Sequence, residues 1–189
     1  MNQEKDQPKE ITLGIVEANV YSLILFLPFL IVFAGGYVLL WYPKILEWSI
    51  KSCLGENILQ VVLTPVIIIL GIVAHELIHG LVWGLWNRKG FRAIKFGVIW
   101  SMLTPYCHCE VPLKINAYRW GALMPGIVLG FLPSIYSLFS GDFGALLFGL
   151  FFTLAAGGDF LMIWVLRKVK NHTLVQDHPS KLGCYLIEE

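Results

Sequence analysis

Three ionisable side chains, His75, Glu76 and His79, stand within five residues of an otherwise apolar stretch that ends at Trp86. On a helix, residues four apart share a face, so both imidazoles can meet one metal ion while the glutamate sits beside it. Neutral imidazole suits Zn2+. A catalytic zinc keeps three protein ligands and one position for water, whose pKa it lowers to about 7. Glu76 then stands where a base would take the water's proton and pass it to a leaving amine. On a soluble amphipathic helix such a match would arise by chance. In a helix crossing a bilayer, each charged group costs about 2.5–3.5 kcal/mol, so only a function or a partner keeps the cluster there.

Depth selects a third ligand. His79 lies seven residues before Trp86, and Asp159 lies seven before Leu166 at the end of another apolar stretch. At 1.5 Å per residue, both groups sit about 10 Å below the same surface. Asp159 is the only ionisable residue deep in the other apolar stretches, and Gly157 and Gly158 before it let two helices approach closely. The alternative for Asp159 is a polar structural contact or a proton relay. Cys107, His108 and Cys109 form a rival donor set. Side chains alternate along a strand, so the two thiols would face one way and His108 the other, which hinders a common metal. Buried thiols and a surface imidazole are the plain reading. His108 stays open as a transition-state donor or a reversible fourth ligand. Met124, Pro125 and Gly126 lie at a similar depth in the third stretch and are candidates for one wall of a substrate cleft. His172 and His178 read as solvated residues of a polar tail.

The elements that must hold these residues follow from where charge is missing. Of the 189 residues, 57% are hydrophobic and 14% charged, against about 25% charged in soluble domains. Four stretches, about 20–42, 59–86, 120–140 and 143–166, have the roughly 20 apolar residues that a spanning helix needs. Trp41, Tyr42, Trp86, Trp120 and Trp164 lie near their ends, where aromatic rings favour the headgroup level. The first run is too long for a signal-peptide core and no small-x-small site follows it. The expected fold is therefore an α-helical integral membrane protein of one domain, residues 1–189, with four transmembrane helices. A small cytoplasmic β-hairpin is expected in the loop 87–119, from two extended runs around Thr104-Pro105. Residues 44–54 read as a short helix in the outer interface, and 167–189 as a cytoplasmic tail.

With both termini in the cytoplasm, twelve of the fourteen Lys and Arg fall inside, leaving Lys44 and Lys51 outside. The positive-inside rule favours that orientation in the cell membrane. Cys107, Cys109 and Cys184 then face the reducing side, and no structural disulfide is expected. A net charge of +1 gives no reason to invoke nucleic acid.

Several motifs run in order over about residues 15–187: His75-Glu76-Leu77-Ile78-His79-Gly80, Tyr106-Cys107-His108-Cys109 with Pro112-Leu113-Lys114, Met124-Pro125-Gly126, Ala156-Gly157-Gly158-Asp159, and Asp177-His178-Pro179-Ser180-Lys181-Leu182-Gly183. In these the chain resembles the putative zincin peptidase family of small bacterial membrane proteins. More widely it resembles the site-two-protease type of intramembrane zinc metalloprotease. The resemblance implies zinc bound by His75, His79 and Asp159, with Glu76 as catalytic base. The chain departs from the wider pattern in lacking the Asn-Pro before the ligand Asp, and in having Phe160 where Gly usually follows it. The expected activity is a membrane-embedded zinc metalloendopeptidase working near the cytoplasmic leaflet. Its expected partners are the lipid bilayer and a membrane-protein or peptide substrate, with a second copy or a membrane regulator left open. Competing readings are a non-proteolytic protein with a structural or sensory metal, and a small transporter with Asp159 and Glu76 on a proton path. A structural zinc needs no general base, and the internal symmetry usual in transporters is missing.

Overall fold

The computed structural model describes residues 8–53, 58–100, 104–178, 181 and 183–187. Its elements in chain order are β1 (Lys9–Thr12), α1 (Ile15–Cys53), α2 (Ile58–Trp86), β2 (Ile94–Ile99), β3 (Thr104–Cys109), β4 (Leu113–Lys114), α3 (Ile115–Pro125), α4 (Leu132–Ser140), α5 (Phe143–Ala155), α6 (Gly157–Val165), β5 (Leu174–Asp177) and β6 (Gly183–Ile187). A π-helical segment, Gly126–Phe131, joins α3 to α4.

Among the described residues, three helical segments are long and apolar enough to cross a membrane: Ile15–Lys51, Val62–Trp86 and Ile115–Ser140. A fourth crossing exists if α5 and α6, bent by 43° at Ala156, count as one span. The outer faces carry exposed Leu39, Leu85 and Phe139 where a soluble bundle would carry charge. The third helical segment starts at Ile115, five residues before the expected span. The fourth is broken because Ala156 leaves the helical conformation just before Gly157-Gly158, where glycine weakens the helix.

The short helix expected at 44–54 is present as far as Cys53: α1 is two helices in sequence, parted by a kink, and residue 54 lies outside the described residues. Trp41 adopts φ −131° and ψ 24°, and Pro43 follows. Pro43 has no N–H to give to the preceding turn. The kink is pinned from outside: the Trp41 indole donates to the Leu138 carbonyl at 3.0 Å. Lys44 stacks over that indole and donates to the Ser140 carbonyl. One turn earlier, the buried Tyr37 hydroxyl donates to the Gly141 carbonyl at 2.7 Å. Phe33, Tyr37 and Leu146 form the core between α1 and α5.

All the strands lie at one end of the bundle. β2 and β3 pair antiparallel as a two-stranded hairpin, with Ile94 opposite Cys109 and Ile99 opposite Thr104. Thr104 and Pro105 therefore belong to a strand and not to the turn, and residues 101–103 lie outside the described residues. The ladder explains why Pro105 is tolerated. Cys109 sends its N–H away from β2 to the Asp177 carboxylate, while Glu110 donates back to Ala93. Ladder donors alternate, so residues 105, 107 and 109 turn their N–H positions outward, and a proline at 105 removes no ladder bond.

The tail, expected to be polar and to pack on the cytoplasmic side, supplies two strands of a four-stranded sheet in the order β1-β6-β5-β4. β1 precedes α1, β4 precedes α3, and β5 and β6 follow α6, so the sheet ties the ends of three helical segments together. Its inner face, with Val175, Cys184 and Leu186, packs with Trp83, Ile115, Tyr118 and Leu166 in the second core. His178 corrects the expectation of a solvated tail: its side chain is 6% exposed, it pairs with Glu10 of β1 at 3.3 Å, and its ring stacks on Tyr185. His172 is exposed as expected.

Candidate metal site

α2 presents His75 and His79 on one face, with ring centroids 4.9 Å apart, and both side chains are buried. Opposite them stands Asp159, in the first turn of α6. Its Oδ2 lies 3.2 Å from His75 Nε2 and 3.5 Å from His79 Nε2. One donor atom from each of the three falls within 4.8 Å of the others, and they are the one such group among the described residues.

The two separations from Asp159 to the imidazoles match those of a zinc site. Four ligands at about 2.0–2.1 Å in a tetrahedron stand about 3.3–3.4 Å from one another, and the two measured N–O separations bracket that edge. The tautomer fits as well. His79 Nδ1 lies 2.9 Å from the Gly121 carbonyl, which accepts only from a protonated nitrogen, so Nε2 keeps its lone pair for a metal. His75 Nδ1 is buried without a hydrogen-bond partner.

Support for His79 comes from residues that the motif alone does not reveal. Trp83, one turn further along α2, stacks on the His79 ring at 5.0 Å and 20°. Tyr118 of α3 stacks on Trp83 at 5.6 Å and 16°. The Trp83 indole also donates to the Tyr118 carbonyl. Helical spacing from His79 places Trp83 on the site's face, so the sequence held that signal. Tyr118 and the Gly121 carbonyl had none. A methyl group at Gly121 would overlap the Trp83 indole, so glycine there lets α3 come close enough for its carbonyl to reach His79.

Glu76 is half-buried beside the donor set and is not part of it. Its carboxyl faces the backbone N–H of Cys107, on the free edge of β3. Ile94 and Phe96 pack against α2 at Gly80, and they lie directly opposite Cys109 and Cys107. Cross-strand partners share a face, so both thiols face α2 and His108 faces away. The rival cluster is therefore split. Cys109 is buried in the core and donates to the Val111 carbonyl at 3.4 Å. His108 lies 3.5 Å from Asp177, in the tail. Burial pushes the Cys107 thiol well up, with the Glu76 and Asp177 charges adding to it. At neutral pH it is a thiol and not the thiolate that binds metals. Burial likewise carries Cys184 to about 12.

Met124, Pro125 and Gly126 close α3 where the π segment begins. Gly126 packs on Phe160 and Ala156, the residues flanking Asp159's turn. Pro125 is fully buried and Met124 half-buried.

A family model described as Putative zincin peptidase matches residues 58–174, more than half of the chain and all of the donor set. The chain belongs to this family. No curated protein and no solved structure matches it. Family membership supports metallopeptidase activity, and the name zincin implies zinc.

Proposed function

We propose that the protein is a membrane-embedded zinc metalloendopeptidase of the site-two-protease type, hydrolysing peptide bonds of membrane or membrane-proximal substrates near the cytoplasmic leaflet. The observation that carries the reading is the division of labour at the site. His75, His79 and Asp159 converge as three donors, and Glu76 stands beside them facing a strand edge. A closed structural zinc takes four protein ligands and needs no such carboxylate. Zinc held by these three residues would supply Lewis acidity to a carbonyl and would lower the pKa of water towards about 7.

The remaining chemistry falls to the chain itself. Glu76 accepts the proton of the attacking water and returns it to the amine as the peptide bond breaks. Cys107 points its outward N–H at the Glu76 carboxyl and so holds the base beside the three donors. His79 is kept in one tautomer by Gly121 and held against the face of Trp83. A helical substrate hides its peptide bonds in its own hydrogen bonds, so it must unwind before it can be cut.

The bilayer reading draws on the exposed apolar faces of α1, α2 and α4. Soluble monomers rarely expose contiguous apolar patches beyond a few hundred Å2. Orientation draws on the twelve-to-two division of basic residues and on β1 pairing with β6, which supports both termini lying on one side, the cytoplasmic one.

Glu76→Gln tests the function directly. Gln keeps the size and one oxygen but cannot take the proton. The variant should bind zinc like the parent and lose about 10²–10⁴-fold in cleavage of β-casein and of a panel of single-span membrane proteins in liposomes. Equal cleavage by both proteins would remove Glu76 as the base. No cleavage by a zinc-loaded parent would favour a structural or sensory metal.

A further inference from the structure

The tail carboxylate Asp177 has no part in the chemistry above, yet it binds to the one strand that faces Glu76. Its Oδ2 accepts the Cys109 N–H at 3.3 Å and lies 3.5 Å from His108 Nδ1. The Tyr118 hydroxyl faces the same carboxylate. Tyr118 is the outer ring of the stack that runs through Trp83 to His79. One side chain thus joins β3, α3 and the tail, and its side chain is only 15% exposed.

Asp177 is itself firmly placed. It closes β5 opposite Cys184, and His178 donates its N–H to Gly183 across the turn at 3.0 Å. Lys181 donates its N–H to His178 Nδ1 at 2.9 Å and its Nζ to Glu10 of β1 at 2.7 Å. The hairpin that bears Asp177 is therefore braced by the strand at the other end of the chain.

We propose that Asp177 is a positioning residue of the site: by holding the outward N–H of Cys109, it fixes the edge of β3 so that the Cys107 N–H stays against Glu76. The two donors are two residues apart on one edge, and a strand held at Cys109 cannot slide or lift at Cys107. A carboxylate suits the task because charge-assisted hydrogen bonds are about twice as strong as neutral ones. The inference rests on the peptidase reading for its effect on turnover, and on geometry alone for its effect on β3.

The test compares Asp177→Ala with Asp177→Asn in the full-length, zinc-loaded protein in liposomes. Asn removes the charge but keeps an oxygen for the Cys109 N–H, whereas Ala removes both. Two quantities are read: turnover of β-casein, and iodoacetamide labelling of Cys107 and Cys184 resolved by peptide mass spectrometry. Asp177→Ala should keep its zinc and lose about 10–10²-fold in kcat, the scale of an ångström-sized misplacement, with KM nearly unchanged. Cys107 should label faster in the Ala variant than in the Asn variant, while Cys184 labels alike in both. Asn should recover most of the turnover. Equal behaviour of Ala and Asn, or Cys184 opening together with Cys107, would overturn the proposal and leave Asp177 as an anchor of the tail. A parent that cleaves nothing counts against the peptidase reading, and the labelling ratio still decides whether Asp177 holds β3.

Discussion

Substituting Gly121 by Ala asks whether the approach of α3 to α2 sets the metal affinity. Gly121 is no ligand, but a Cβ built there overlaps the Trp83 indole. Trp83 cannot swing away freely, because it lies between His79 and Tyr118 and donates to the Tyr118 carbonyl. The methyl must therefore push α3 outward or tilt the indole. Overpacking of this kind costs about 1–3 kcal/mol. Either movement also disturbs the 2.9 Å contact between His79 Nδ1 and the Gly121 carbonyl. Loss of such an outer-shell partner lowers metal affinity about 10–100-fold, equivalent to about 1.4–2.7 kcal/mol. The assay is zinc competition against a chelator with detergent-purified protein. Gly35→Ala serves as the control, because nothing lies within 4 Å of a Cβ there. Trp83→Phe added to Gly121→Ala should restore part of the affinity by making room for the methyl group. A folded Gly121→Ala protein that holds zinc as tightly as the parent would refute the reasoning.

Zinc analysis of the purified parent should give about one ion per chain, from the three-donor geometry, and His79→Ala and Asp159→Ala should each lose most of it. Full zinc in Asp159→Ala would remove Asp159 from the ligand set. Impermeant labelling of single cysteines should reach a residue placed at Lys51 from outside, and residues placed at Lys95 and Lys181 only from the cytoplasmic side. Outside labelling at Lys95 would reverse the orientation.

The apolar stretches and the metal motif were legible in the sequence because both depend on local spacing. A run free of charge and long enough to cross a bilayer has to satisfy its backbone within itself, and a helix puts His75 and His79 on one face wherever it packs. Asp159 could be selected by depth, since residue counts measure distance along a helix. The kink at Trp41 and the break at Ala156 were less visible. Proline and paired glycines permit such bends, but partners from other segments decide which of them occur. The tail shows the difference most plainly. Its sequence is polar and short, and nothing local says that β6 pairs with β1, some 170 positions away, or that Asp177 holds Cys109. Likewise, only the packing of α3 on α2 gives His79 the Gly121 carbonyl as partner. Those pairings come from packing between segments distant in the chain, and such contacts leave no periodic trace in either partner's own sequence.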